Sequence, residues 1–264
     1  EDYTFDVCTP STLDNELNEV QLPNGLISIG EGAFIRTKMS IDIPHSVTSI
    51  GSYAFAYGDR TSFRLPNNLI TIGAYAFAHS EPLMLGYIGS SLTTIGERAF
   101  YNTSLPALTE IFPSVTTIGA YAFCNSSFYT NFALPTGSQL TSIGNYAFRN
   151  INLTRIVIPS SITSIGQGAF SGNASLTIYT ERTSKPSTWN SYWNSSNRPV
   201  VWGCTLSSDK TYVLSFTKNS FSPSNPGATN GITDPYRKNY TFGGWYTTSN
   251  FSENPVESIT SVGD

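Results

Sequence analysis

The sequence predicts a solenoid of seven stacked coils, with a parallel sheet along one side and short helical or irregular returns, followed by a small all-β module. Three observations carry this reading. The phrase Ile-Gly-x-x-Ala-Phe recurs seven times, closing on Phe34, Phe55, Phe77, Phe100, Phe123, Phe148 and Phe170. Successive phenylalanines are 21, 22, 23, 23, 25 and 22 residues apart, while the step from Ile to Phe is always five. A fixed step with slack elsewhere marks a rigid corner and a variable return. Most copies also hold a short alternating segment ending in proline, such as Ile41-Asp42-Ile43-Pro44 or Ile156-Val157-Ile158-Pro159.

Each element follows in order. Residues 1–14 read as a lead-in and 15–180 as the solenoid. In each unit the alternating segment predicts a period-two strand with alternate residues inward. Proline ends it, because proline cannot donate to a central ladder. Leu or Val stands about three residues before each Ile, with Ile162 in the last copy. The glycine after each Ile predicts backbone freedom or a close approach between coils, and Ala-Phe places one small and one large side chain inward. One such coil cannot bury its own apolar face, so neighbours stack at the strand spacing, about 4.8 Å. Residues 181–205, with Trp189, Trp193 and Trp202, read as a cap over the last coil's open end. From 206 to 264 the repeat is gone: residues 212–216 alternate like a strand, 220–234 read as loop, and 240–246 read as a strand bent at Gly243-Gly244.

The pattern L-x-x-I-x-I-P-x-x-V-x-x-I-G-x-x-A-F is almost complete over residues 153–170. It resembles the BspA-like class of leucine-rich repeats found on bacterial and some protozoan cell surfaces, and the resemblance spans residues 15–180. Gly89 replaces the strand-ending proline of the fourth copy, and residues 108–113 of the fifth are one residue short, so local irregularity is expected there. The stretch 185–203 is similar to the Trp-rich ending such arrays often carry. Residues 235–246 resemble the Listeria-Bacteroides repeat, a small β-grasp-like module of secreted surface proteins. Its usual closing aromatic strand is not evident before Asp264, so the module is either truncated or completed differently. Together these resemblances imply a leucine-rich-repeat solenoid, secreted or on the cell surface, that acts in adhesion as a monomer by binding a protein or glycan on a host or neighbouring cell. A structural stalk or envelope component, and a glycan-binding accessory module of a larger hydrolase, are the competing readings.

Composition narrows the partners. Charged residues make up 12% of the chain, against a usual ~25%. Fourteen Lys plus Arg against eighteen Asp plus Glu give a net charge of -4, which is no footprint for nucleic acid or anionic membrane. No apolar run approaches the ~18 residues of a membrane span. The opening Glu1-Asp2-Tyr3, without Met or leader, reads as a processed or trimmed product. Cys8, Cys124 and Cys204 show no CxxC spacing, so zinc is not expected. Cys124, just after Phe123, reads as a small buried apolar residue, and Cys8 and Cys204 as unpaired.

No constellation carries chemistry. Gly30-Glu31-Gly32 and Gly166-Gln167-Gly168 only superficially begin a dinucleotide loop, since Ile35 and Ser171 stand at the sixth positions. His45 and His79 fall at unrelated repeat phases, and the carboxylates of Glu19, Asp42 and Glu110 lie on different coils. The chain therefore reads as non-enzymatic, without cofactor or metal. Sequons at Asn102, Asn173 and Asn239 arise by chance in a Ser/Thr/Asn-rich chain.

Two surface columns are the candidate binding sites. The outward strand residues form a ladder of Gln21, Asp42, Arg64, Tyr87, Phe112, Ala133 and Val157, flanked by Glu19, Ser40, Ser62, Glu110, Asn131 and Arg155. It turns apolar toward the C-terminal coils, either as a surface awaiting a partner would, with Arg64, Tyr87, Phe112, Ala133 and Val157 as the expected contacts, or because these are merely solvent-tolerant strand residues or the cap folds over Val157. The alternative column precedes each Ala-Phe: Gly32, Tyr53, Tyr75, Arg98, Tyr121, Tyr146 and Gly168. Four tyrosines in register with one Arg predict an aromatic stack with a cation–π contact, serving either to fasten coils or to meet carbohydrate by the ring faces.

Overall fold

A dipeptide, Ser-Ile or Thr-Ile, precedes the corner glycine of every coil, and this dipeptide builds the main sheet. The computed structural model describes residues 19–37, 40–58, 65–80, 91–105, 113–128, 134, 139–206, 213–215 and 221–222. In chain order the strands are β1 (Glu19–Gln21), β2 (Ser28–Ile29), β3 (Ser40–Asp42), β4 (Ser49–Ile50), β5 (Thr71–Ile72), β6 (Thr94–Ile95), β7 (Thr117–Ile118) and β8 (Ser142–Ile143). They continue as β9 (Arg155–Ile158), β10 (Ser164–Ile165), β11 (Thr177–Thr180), β12 (Val200–Val201), β13 (Thr205–Leu206), β14 (Val213–Ser215) and β15 (Phe221–Ser222).

Seven of these form one parallel sheet in the order β10-β8-β7-β6-β5-β4-β2. Its register pairs hydroxyl residue with hydroxyl residue and Ile with Ile in every step. The proline-ended segments pair separately, β1 with β3 and β9 with the following strand β11, which has no proline at its end, also in parallel. The array is thus a leucine-rich-repeat solenoid, and its returns are turns, with no helix among the described residues. Proline does more than end a strand. Leu26, Val47, Leu69 and Ile162 donate their N–H to the carbonyls of Pro23, Pro44, Pro66 and Pro159 at 3.0–3.2 Å, closing a turn that sends the Leu, Val or Ile side chain into the core.

The corner glycines are required for close approach. A Cβ added to Gly51, Gly73, Gly96 or Gly119 would lie 2.6–2.7 Å from backbone atoms of the preceding coil. The Ala-Phe pairs turn inward, and the seven phenylalanines are buried in one continuous stack. Neighbouring ring centroids are 5.2–5.7 Å apart, with planes within 11°. At the C-terminal end Trp193 meets Phe170 edge-on at 6.5 Å and interlocks with Trp189 and Trp202. The tryptophans therefore close the stack, because an eighth ring lying flat would only expose a new apolar face.

Four buried polar side chains of this core bond from coil to coil, while the Trp189 indole N–H of the cap is buried without a hydrogen-bond partner among the described residues. Ser80 Oγ donates to Phe55 O at 2.8 Å, Thr103 Oγ1 to Phe77 O at 2.8 Å, and Ser126 Oγ to Phe100 O. Asn173 ends the series: its Nδ2 donates to Phe148 O and Phe170 O, and its Oδ1 accepts from the N–H of Ile151 and Leu153. That amide is fully buried and fully used, so the sequon at Asn173 is no acceptor in the folded chain.

Cys124 is buried as expected, and burial raises its thiol pKa. Cys204 is a free thiol too, pushed to about 11 chiefly by burial, and Cys8 lies outside the described residues. Beyond the cap, β13 pairs antiparallel with β14, and β15 pairs antiparallel with β12. Part of the region 206–264 thus extends the sheet β15-β12-β11-β9, while the stretch 235–246 lies outside the described residues.

Candidate functional site

The returns have a conformational rule that repeats in every coil. The residues two before and two after each spine phenylalanine hold the left-handed backbone. Before it, φ is 63, 57, 57, 51, 57, 55 and 56° at Gly32, Tyr53, Tyr75, Arg98, Tyr121, Tyr146 and Gly168. After it, φ is 58, 60, 58, 52, 60, 56 and 76° at Arg36, Tyr57, His79, Asn102, Asn125, Asn150 and Gly172. The reason lies in backbone hydrogen bonding. Alternating the handedness points the N–H groups of Tyr53, Phe55 and Tyr57 at the carbonyls of Ala74, Ala76 and Ala78 in the next coil, and the first six coils all show this. In the seventh, the Gly168 N–H bonds Tyr192 O and the Gly172 N–H bonds Ser196 Oγ of the cap. The return thereby becomes a hydrogen-bonded ladder although it is not a strand.

Side chains at such positions stand in register. In the first column Tyr53 stacks on Tyr75 at 4.7 Å with planes 10° apart, and Tyr121 on Tyr146 at 5.0 Å and 26°. The Arg98 guanidinium fills the gap between the pairs, 5.3 Å from the Tyr75 ring centre and 4.5 Å from that of Tyr121. It also donates to the Tyr75 hydroxyl at 2.6 Å and pairs with Glu97. Both predicted features of this column, the stack and the cation–π contact, are present. The inner ring faces are consequently covered, and edges and hydroxyls are what the column presents outward.

The second column was not legible as a site. Arg36 lies 5.8 Å over Tyr57, Tyr57 stacks on His79 at 4.8 Å and 3°, and Asn102 Nδ2 is 3.1 Å from His79 Nδ1. Asn150 Nδ2 then donates to Asn125 Oδ1 at 2.9 Å, and Asn125 Nδ2 to the Tyr101 hydroxyl at 3.3 Å. Tyr57 is 48% exposed. Asn102, Asn125, Asn150 and Gly172 at one repeat phase were the available signal, since these residue types favour the left-handed region.

The strand ladder fares differently. Gln21 and Asp42 are exposed and pair in register. Arg64, Tyr87, Phe112 and Ala133 lie outside the described residues. Val157 is half-buried against Tyr179, Val201 and Cys204, so its apolar character is accounted for by packing under the C-terminal segments. Arg155 beside it lies 5.5 Å over the Tyr179 ring, and burial lowers its pKa. His45 accepts from Asn68 Nδ2 at its carbonyl while His79 belongs to the second column, so the two histidines serve different ladders. Among the described residues no group of three His, Cys, Asp or Glu side chains could hold a metal ion, and no helix is long and apolar enough to cross a membrane.

A parallel solenoid with in-register surface columns is the architecture of a repeat scaffold. The chain belongs to the BspA type leucine-rich repeat region family, whose model matches residues 11–130 and 93–192 in six copies. Among solved structures it is similar to a leucine-rich repeat protein from Bacteroides ovatus ATCC 8483, at 20% identity and a TM-score of 0.48 over 71% of this chain. It spans 55% of that protein's length. It is also similar to the pneumococcal vaccine antigen PcpA, at 16% identity and TM-score 0.34 over 78% of this chain and 71% of that one. A third likeness is to a leucine rich cell surface protein of Faecalibacterium prausnitzii A2-165, at 17% identity and TM-score 0.26 over 69% and 82% of the two chains. None of the curated proteins compared with the chain matches it.

Proposed function

We propose that the chain is the binding part of an exported surface protein, and that its solenoid holds a protein partner along the ridge formed by the two left-handed columns. One observation carries the reading. Left-handed backbone favours Gly and Asn, yet five of the seven first-column positions are Tyr or Arg. A bulky residue there costs about 1 kcal/mol in backbone strain, so its side chain must contribute in another way. Stacked rings are rigid, and holding them in advance lowers the ordering cost of an interface made through their edges and hydroxyls. Low charge suits an adhesive face of this kind, since few ions must be stripped of water.

The test is a binding screen of the chain against matrix proteins, glycans and whole cells, repeated with two double variants. Tyr75→Asn with Tyr121→Asn keeps residues compatible with left-handed backbone and removes the rings. Arg64→Ala with Tyr87→Ala addresses the strand ladder instead. The expected result is that the first pair weakens the best ligand about tenfold or more, as loss of aromatic anchors does, with a nearly unchanged melting temperature. Binding untouched by the first pair and lost with the second would move the site to the strand ladder.

A further inference from the structure

The first column shows one position in two states, filled and vacant. In the fourth coil the run is Gly96-Glu97-Arg98-Ala99-Phe100, and in the first it is Gly30-Glu31-Gly32-Ala33-Phe34. Arg98 lies against the ring of the next coil's Tyr121 and pairs with its own neighbour Glu97. The second coil supplies the corresponding ring, Tyr53, and the first coil the corresponding carboxylate, Glu31, but the first has glycine where the guanidinium would start. A Cβ built on Gly32 meets nothing within 4 Å, whereas one built on Gly168, at the other end of the column, would run into the Tyr146 ring at 2.5 Å. Glu31 is exposed, Tyr53 is half-buried, and among the described residues the ring stacked on Tyr53 is that of Tyr75, on the side away from the first coil.

We infer that the notch over Gly32 binds an arginine side chain of a partner polypeptide, with the guanidinium flat on Tyr53 and paired with Glu31. The chain supplies the template for this contact at Arg98, which meets the Tyr121 ring and Glu97 and has in addition the Tyr75 ring and hydroxyl of the preceding coil. The part shared with the notch is a planar cation held between a ring face and a carboxylate. Charge argues for the same occupant and against one from the preceding segment. Residues 1–18 hold no Lys or Arg and five carboxylates, Glu1, Asp2, Asp6, Asp14 and Glu16. This rests on the ridge being a binding surface and names the chemistry of one of its contacts.

The experiment is an NMR titration of the full chain, labelled on its tyrosine rings, with N-acetyl-arginine methylamide. Its lysine and citrulline counterparts serve as comparisons, the last being isosteric but uncharged. The Tyr53 ring signals are expected to shift saturably with arginine, about threefold more weakly with lysine, whose ammonium is not planar, and hardly with citrulline. Tyr121, whose place is filled by Arg98, stays still. Gly32→Arg fills the notch from within and abolishes the shift; left-handed arginine is tolerated at Arg98 and Arg36. Glu31→Gln weakens the response without touching the ring. Absence of a Tyr53 shift, an equal response to citrulline, or a response that survives Gly32→Arg would overturn the inference. Such a failure leaves the ridge reading standing, because that is tested at Tyr75 and Tyr121 with a macromolecular ligand.

Discussion

The two columns that flank the phenylalanine stack share one backbone conformation and answer it with different residues. The second column ends in Asn102, Asn125, Asn150 and Gly172, which suit the left-handed region, and its amides bond neighbour to neighbour. The first column holds Tyr and Arg in five coils and joins them by ring stacking and a cation–π contact. The same geometry is therefore met by backbone compatibility on one side and by side-chain contact on the other. Where a repeat keeps the less compatible residue, the side chain is the part to explain.

The largest expected effect is on what the columns share. Phe100→Ala removes a ring stacked on both faces at 5.2–5.3 Å and should lower stability by about 3–5 kcal/mol, as read by denaturant unfolding. Equal loss of amide protection in both columns would show that one spine supports them. Next is Ser126→Ala, which leaves the carbonyl of Phe100 without its buried hydroxyl donor; about 1–2 kcal/mol should be lost in the same assay.

Smaller effects separate the columns. Asn125→Ala should destabilise by about 1 kcal/mol and Asn125→Gly by a few tenths, since the backbone there sits at a φ of 60°. Tyr121→Asn should change stability by less than about 1 kcal/mol, because relief of strain offsets the lost stack. A large loss in Tyr121→Asn would make the first column a structural fastener and weaken its claim as a binding ridge. The smallest effect is a pH dependence in the cap. The Cys204 thiol is raised from 9.0 to about 11, so the stability tied to its neutral form is full below pH 9 and is lost as pH rises through about 11. Melting curves of the wild type and Cys204→Ala should diverge over that range and run parallel below it.

How much was legible follows the same division. Residues whose type is constrained at every coil, such as the Ile-Gly corner and the Ala-Phe pair, show through any spacing, and so the inward placement of Phe34 to Phe170 was evident in the sequence, though not their stacking. Tyr53, Tyr75, Tyr121 and Tyr146 were recognised as a column, but their left-handed backbone was not, because tyrosine carries no signal for it. The main sheet was hidden for a different reason. Its strands are two residues long, from Ser28–Ile29 to Ser164–Ile165, too short for an alternating pattern. The buried hydroxyls of Ser80, Thr103 and Ser126 were hidden because Ser and Thr are also the commonest surface filler of this chain. Their bonds, like those of Thr93, Thr116, Thr141 and Thr163, run to backbone carbonyls of the preceding coil. Low charge thus reflects positions where an uncharged donor completes the neighbour's backbone.

The central claim is that surface side chains of neighbouring coils are coupled through their columns. A double-mutant cycle on Arg98 and Tyr121, each replaced by Asn singly and together, measures that coupling as the non-additive part of the stability change. Contact at 4.5 Å with Arg98 partly exposed predicts a coupling of about 0.5–1 kcal/mol in favour of the native pair. Additive changes, with no coupling beyond the error of the unfolding curves, would contradict it.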